Sequence, residues 1–197
     1  MGKIFCLMGK SASGKDTIYE HLMAEEELSL CPLVPYTTRP IRSDEEEGKQ
    51  YHFCTDQQAD EMLAQGKVIE MRIYHTIHGD WRYFTADDGQ IDLKEHNYLL
   101  IGTLEVLEQL VRFFGKEYVI PVYIWIEDGL RLSRALERER FQQEPHYAEL
   151  CRRYLADEAD FSEENCRQHG ITKKFENRML QETVHMIKEY MMEQCEE

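Results

Sequence analysis

The chain opens on an unbroken apolar run, Ile4-Phe5-Cys6-Leu7-Met8, the pattern of a strand buried on both faces. Polar residues hold from Gly9 to Thr17. After them Ile18, Leu22 and Met23 face one way and Glu20, Glu25 and Glu26 the other, which is the period of a helix. Leu33-Val34-Pro35-Tyr36 predicts a short second strand, and Thr37 to Gln50 a charged loop. Asp56 is placed to cap a short helix carrying Ala59, Met62 and Leu63, closed by Gly66. Val68 to Tyr74 alternates with period two and predicts a half-buried strand. His78-Gly79-Asp80 then turns into a hairpin partner, Trp81 to Thr85.

In the second half, Asn97 to Gly102 predicts a buried strand, and Leu104, Leu107, Leu110 and Val111 a helix. Tyr118 to Ile126 is the next strand, with Pro121 predicting a bulge or irregular start. A helix starts near Asp128 with Leu130, Leu132, Ala135 and Leu136. The polar segment Glu139 to His146 interrupts it, and Tyr147, Leu150, Cys151, Tyr154 and Leu155 resume the helical spacing. A terminal helix is predicted over Phe175 to Met192, with Met179, Thr183, Met186, Ile187 and Tyr190 as its inward stripe. Helices between strands predict an α/β fold with a parallel-sheet core and a ligand at the C-terminal edge of its strands. The hairpin region breaks that rhythm and is expected to form a small inserted subdomain facing the Gly9–Thr17 loop.

Composition narrows the class. The 197 residues, 42% of them hydrophobic, suffice for one domain with a real core. The net charge of −15 argues against sequence-independent binding to nucleic acid or an anionic membrane. The six cysteines are scattered with no Cys-x-x-Cys pair, so neither a zinc knuckle nor a redox motif is indicated. No long apolar segment precedes the first strand, and a reducing cytoplasm is the expected setting.

Candidate chemistry begins at Gly9-Lys10-Ser11-Ala12-Ser13-Gly14-Lys15-Asp16-Thr17. Strand, glycine loop, lysine and helix form the phosphate-binding P-loop arrangement. Backbone N–H groups converge on a polyphosphate at a helix N-terminus, where the dipole also favours negative charge. Gly9 and Gly14 keep side chains out of the way, and Lys15 reaches the outer phosphates as a compact cation. Asp16 stands where a Ser or Thr usually places its hydroxyl on Mg²⁺. Its carboxylate is a hard oxygen ligand directed at metal, or else a first-turn acid favoured by the helix dipole. A second constellation runs from Thr37 to Phe53. There Arg39 and Arg42, three apart, can fork onto one phosphate, with Tyr51 adding a hydroxyl donor; the alternative is a solvated loop that balances arginine against acid. No Ser-His-Asp or metal-hydrolase pattern competes with these.

Thr37-Thr38-Arg39-x-x-Arg42, the acid Glu45, then Gly48-x-x-Tyr51-x-Phe53 resembles the guanylate-binding loop of guanylate kinases. The P-loop sits where that family has it. Ile69-Glu70 is similar to the family's guanine-reading glutamate, and Arg134, Arg138 and Arg152-Arg153 resemble its mobile lid and the helix after it. The resemblance implies one domain over 1–197: a core (1–33, 96–138, 166–197), a nucleotide-monophosphate subdomain near 34–95 and a helical lid near 139–165. It implies phosphoryl transfer from ATP to GMP, with Mg²⁺ as cofactor; Asp16 is the candidate metal residue on the chemistry of its carboxylate, and the net charge leads to the expectation of no nucleic acid or membrane partner. Residues Gly9 to Thr17 would bind ATP. Arg39, Arg42, Glu45, Tyr51, Glu70 and His78 would bind GMP, with Glu45 helping to hold the loop. Lys15, Arg39, Arg134, Arg138 and Arg153 would surround the transferring group. The chain departs from the family in having Pro35 for a serine, Asp16 in the P-loop, and His78-Gly79-Asp80 for a tyrosine-glycine-serine or -threonine turn. Its Leu99–Gly102 strand also lacks the family's aspartates, for which Thr103 or Glu105 could stand in. The alternatives are a non-catalytic interaction domain of this type and a kinase for another nucleoside monophosphate.

Overall fold

The computed structural model describes residues 1–42, 45–76 and 79–196. The chain enters through β1 (Ile4–Met8), the Gly9–Gly14 loop and α1 (Lys15–Met23), then a single 3-10 turn and β2 (Leu30–Pro32). It crosses into a second sheet with β3 (Tyr36–Thr37), β4 (His52–Phe53), α2 (Asp56–Ala64), β5 (Val68–Thr76) and β6 (Gly79–Ala86). It returns through β7 (Asn97–Ile101), α3 (Leu104–Phe114), β8 (Val119–Trp125) and α4 (Asp128–Arg140). Then follow α5 (Tyr147–Asp160), α6 (Glu163–Gln168), β9 (Lys174–Glu176) and α7 (Leu180–Glu196).

The first sheet has the order β2-β7-β1-β8-β9, with every pairing parallel. Its middle strand, β1, is fully buried along its length. Alternation sends its side chains both ways. Phe5 and Leu7 pack with Ile18 and Leu22 of α1 and Val184, Ile187 and Met191 of α7. Ile4, Cys6 and Met8 pack with Leu104, Leu107 and Leu110 of α3. Because the strands run parallel, β1, β7 and β8 end on one edge, and α1, α3 and α4 all begin there.

The second sheet has the order β4-β3-β6-β5. On one face Phe84 and Ala86 pack with Tyr36, Met71 and the α2 residues Ala59 and Met62. Arg82 lies on that side too, paired with Asp56 and Asp60. The other face carries Glu70, Arg72 and Tyr74 opposite Thr85, Tyr83 and Trp81.

Several expected elements are shifted. Residues 33–35 belong to neither sheet: Leu33 N–H donates to Leu99 O at 3.0 Å and Val34 N–H to the Gln90 side chain at 3.2 Å. Pro35, with no N–H, marks the crossing between sheets. The α2 cap is Thr55, in a reciprocal capping box with Gln58, and Asp56 is the first helical residue. Pro121 makes no bulge. It pairs in register with Cys6, and β9 begins only opposite Tyr123, so its missing N–H disturbs no ladder on that side. α4 runs on through Glu139, which is buried and accepts from His146 N–H. Phe175 is a strand residue, not a helical one. In α7 the buried stripe is Thr183, Val184, Ile187 and Met191, while Met179 and Met186 are exposed.

Leu99 is buried in β7 opposite Phe5. Leu99→Ala is expected to lower unfolding free energy by about 2–5 kcal/mol. Urea titration should show a lower midpoint with an unchanged slope.

Candidate active site

The P-loop is held open by two glycines. Gly14 precedes α1 with φ of 88°, and a Cβ there would lie 2.3 Å from Asn177 Nδ2. A Cβ on Gly9 would meet Ile124 O at 2.7 Å. Asn177, buried just past β9, donates from Nδ2 to Ser13 O at 2.8 Å, so the far end of the chain fixes the loop's carbonyl. Lys15 and Asp16 form the first turn of α1, and neither side chain makes a hydrogen bond or ion pair among the described residues. Thr17 follows on an exposed position.

Lys10 is different. Its Nζ donates to Glu158 at 2.7 Å and to Asp128 at 3.4 Å. The buried Arg131, over which Tyr154 stacks at 3.9 Å, joins Asp128, Asp157, Glu158 and the carbonyl of Ser11. Ser11 N–H donates to Asp157 Oδ2 at 2.8 Å. Carboxylates of α5 thereby take one P-loop donor and its outer cation. Arg134 Nη2 donates to Asn177 O at 3.3 Å, beside the same loop. Arg138 and Arg153 line one small cleft together with Ser11 and Arg131, although Arg153 also lies 3.6 Å from Glu149.

A larger cleft of about 380 Å³ separates the P-loop from the second sheet. Asp16, Tyr19 and Glu20 line one wall, Glu45, Lys49, Gln50 and Tyr51 the other, with Leu33, Pro35, Leu100 and Ile101 at its back. Arg39 is buried behind Tyr51, its guanidinium 5.1 Å from that ring and 5.5 Å from Phe53. Glu45 grips both terminal nitrogens of Arg39 and accepts from Arg42 N–H at 2.9 Å. Arg39 holds the Glu45 carboxyl down to about 2. The Arg42 side chain is exposed. His78 lies outside the described residues.

Tyr83 meets Tyr51 edge-on at 5.5 Å and interacts with Arg39. Glu70 is buried: Thr85 Oγ1 donates to its Oε1 at 2.8 Å and Arg72 Nε to its Oε2 at 3.2 Å. Tyr83 and Thr85 are thus the residues of β6 that stand opposite Arg72 and Glu70. A break in the β5 register between Val68 and Glu70 buries Ile69 and Glu70 together, against the simple alternation expected. Burial pushes the Glu70 carboxyl up, opposed by Arg72 and by the Thr85 hydrogen bond. On β7–α3, Thr103 caps α3 by accepting from Val106 N–H, and the charge of Glu105 acts on Glu70.

Sequence reasoning passed over Arg72, Tyr83, Thr85, Arg131 and Asn177. Arg131 had a signal, since it lies at helical spacing before Arg134 and Arg138. Arg72 had a weaker one, two residues from Glu70 on the same strand, and Thr85 had none.

The chain matches the family model for guanylate kinase over residues 1–194. A guanylate kinase of Neisseria gonorrhoeae is 31% identical over 105 residues, 53% of this chain and 49% of that protein. One of Sus scrofa is 28% identical over 165 residues, covering 84% of this chain and 79% of that one. One of Cupriavidus pinatubonensis is 22% identical over 192 residues, 95% and 83% of the two chains. The alignment thus spans about half the length of the Neisseria relatives. The crystal structure of guanylate kinase from Anaplasma phagocytophilum superimposes with a TM-score of 0.66 at 17% identity, covering 96% of this chain and 84% of that one. At that identity the likeness is one of fold.

The Arg39–Glu45 pair predicts a pH response. A carboxylate depressed from its ordinary 4.5 contributes stability that is present above that value and lost as pH falls through about 2. A carboxyl NMR titration should find the Glu45 midpoint near 2, and Arg39→Met should return it toward 4.5. A wild-type midpoint in the ordinary range would show that the pair does not hold in solution.

Proposed function

The chain belongs to the guanylate kinase family, and from that premise we propose that it transfers the terminal phosphoryl group of ATP to GMP. The observation that carries this reading is the make-up of the cleft. Lys15, at a helix N-terminus and with no side-chain partner among the described residues, directly precedes Asp16 of one wall, and Arg39 and Tyr83 pack against Tyr51 of the other. A non-catalytic interaction domain has no use for an uncompensated, half-buried cation in a chain of net charge −15.

In this reading the open N–H groups of the Gly9–Thr17 loop cradle the ATP phosphates, and Lys15 follows charge onto the transferring group. Arg134 and Arg138 of α4 and Arg153 of α5 approach the same phosphates. Arg39, Arg42, Tyr51 and Tyr83 hold the GMP phosphate, with Glu45 pre-setting Arg39 so that little side-chain order is lost on binding. Glu70 faces guanine. Two of the four lone-pair sites on its carboxylate are taken by Thr85 and Arg72, which leaves two for the paired N1–H and amino donors of that base. Closure excludes water that would otherwise hydrolyse ATP.

The donor set suits Mg²⁺. Among the described residues no group of three or more His, Cys, Asp or Glu is arranged to hold a metal. Mg²⁺ is commonly held by one or two carboxylates together with substrate phosphates and water, and Asp16 is an exposed carboxylate lining the cleft with no competing partner among the described residues. Bound there, the ion would neutralise phosphate charge and orient the transferring group.

A coupled ADP-release assay across GMP, dGMP, AMP, CMP and UMP tests the reading directly, and absence of turnover with all of them would refute it. Lys15→Ala is expected to cut turnover at least about a hundredfold with an unchanged melting temperature, since it removes a preorganised charge from the transition state. Asp16→Ala is expected to raise the Mg²⁺ concentration for half-maximal rate, and Asp16→Ser to restore it in part. If Asp16 serves only the α1 dipole, the Mg²⁺ dependence will stay put and only melting temperature will fall slightly.

A further inference from the structure

The charge of Arg72 has no part in the reading above, which uses only its hydrogen bond to Glu70. Its side chain is 14% exposed on the face of β5 that carries Glu70, directly across from Tyr83, and its Nε is committed to Glu70 Oε2. We propose that Arg72 sets the base preference of this site by acting through Glu70, holding that buried carboxyl as an acceptor-only group so that it accepts guanine and rejects adenine. The inference rests on the kinase reading for the identity of the ligand, and it makes Arg72 a positioning residue.

The chemistry is a matter of matching edges. An ionised carboxyl offers acceptors only, and guanine presents N1–H and its 2-amino group side by side. A protonated carboxyl offers one donor and one acceptor, and adenine presents an N1 acceptor beside its 6-amino donor. The same side chain therefore fits either purine, and its proton decides which.

The surroundings of Glu70 put that proton in play. Burial raises its pKa, and Glu105 at the start of α3 raises it further. Cys6 of β1, whose own thiol is pushed up to about 12 by burial, is neutral and gives no positive charge. Thr85 of β6 donates one hydrogen bond, which favours the ionised form but carries no charge. Arg72 is the cation that opposes burial at this carboxyl, through both its charge and its hydrogen bond. The sign follows. Without Arg72 the Glu70 pKa rises, so at a given pH more of the protein carries the protonated form, and guanine preference fails as pH falls.

The test measures kcat/KM for GMP and AMP from about pH 5.5 to 8.5 in wild type, Arg72→Met, Arg72→Lys and Glu70→Gln/Arg72→Met. In Arg72→Met the GMP-to-AMP ratio should drop at least about tenfold more than in wild type toward the acid end, a tenfold change corresponding to one pH unit of displacement, and recover toward pH 8.5. Arg72→Lys should keep the wild-type profile, because it retains the charge. The double variant should show no such pH dependence, because nothing titrates. Should Arg72→Met fail to fold, Arg72→Gln, which keeps a donor and loses the charge, takes its place. A ratio in Arg72→Met that follows wild type at every pH overturns the proposal. So does a ratio lost equally at every pH, which would make Arg72 a packing residue or a direct base contact. Equilibrium binding of GMP and AMP over the same range reads the ratio without turnover. A wild type that prefers GMP in binding, loses that preference toward acid in Arg72→Met, and transfers no phosphoryl group would refute the kinase reading while supporting this one. No preference in wild-type binding overturns it.

Discussion

A phosphate cradle built of backbone N–H groups cannot hold itself open, and the rest of this structure answers to that constraint. Neighbouring N–H dipoles pointing into one concavity repel each other, so the loop needs support from outside. Here it has three supports. The buried β1 strand fixes where the loop leaves the sheet. Asn177, from the last quarter of the chain, binds Ser13 O and fills the space that a Cβ on Gly14 would occupy. Asp157, from α5, accepts from Ser11 N–H. Strand order brings these together: β9 lies beside β8, β8 beside β1, and the segment after β9 ends beside the loop.

Charge in the cleft is arranged by depth. Arg39, Arg72 and Arg131 are buried or nearly so, and each faces a carboxylate: Glu45, Glu70, and the Asp128–Asp157–Glu158 group. A buried cation without such a partner would cost several kcal/mol. Lys15 is only half-buried and has none among the described residues. The acidic bias of the chain thus does local work. Its carboxylates neutralise the buried arginines, while Lys15, at the mouth of the P-loop, has no carboxylate partner among the described residues and would meet an incoming polyphosphate.

What could be read from sequence was what local spacing determines. The run Ile4–Met8, the glycine loop, the α3 stripe and the arginine pair at Arg39 and Arg42 all declare themselves within a few residues. What could not be read depended on partners distant along the chain. Phe175 looked helical because its own neighbours are helix formers, yet Tyr123 to Trp125 offered an open strand edge and claimed it. The α7 stripe was mis-phased because the long, unbranched Met179 and Met186 look like core residues, whereas the surface actually facing the sheet belongs to Thr183, Ile187 and Met191. Tyr83 and Thr85 were read only as part of a hairpin partner, with no role beside Glu70. The hairpin register places Thr85 opposite Glu70 and Tyr83 opposite Arg72, and the irregularity between Val68 and Glu70 that sets which β5 residues share that face leaves no mark in the period-two pattern.

That register has a mechanical consequence. Glu70, Arg72, Tyr83 and Thr85 share one face of one small sheet, and Arg39 and Tyr51 pack onto its near end. Groups that would read the base and groups that would hold its phosphate are therefore fixed relative to one another by β5–β6 and β3–β6 ladders and by the α2 face beneath. Their position relative to Lys15 is set by much less. The crossings are residues 33–35 and 87–96, together with α3 contacts such as the Met71 N–H bond to Gln109 at 3.4 Å. A change in the distance between the sheet and the P-loop can thus leave the recognition geometry intact. Discrimination and closure are separable here because the first is built into a ladder of backbone hydrogen bonds and the second into two short connections and one helix contact.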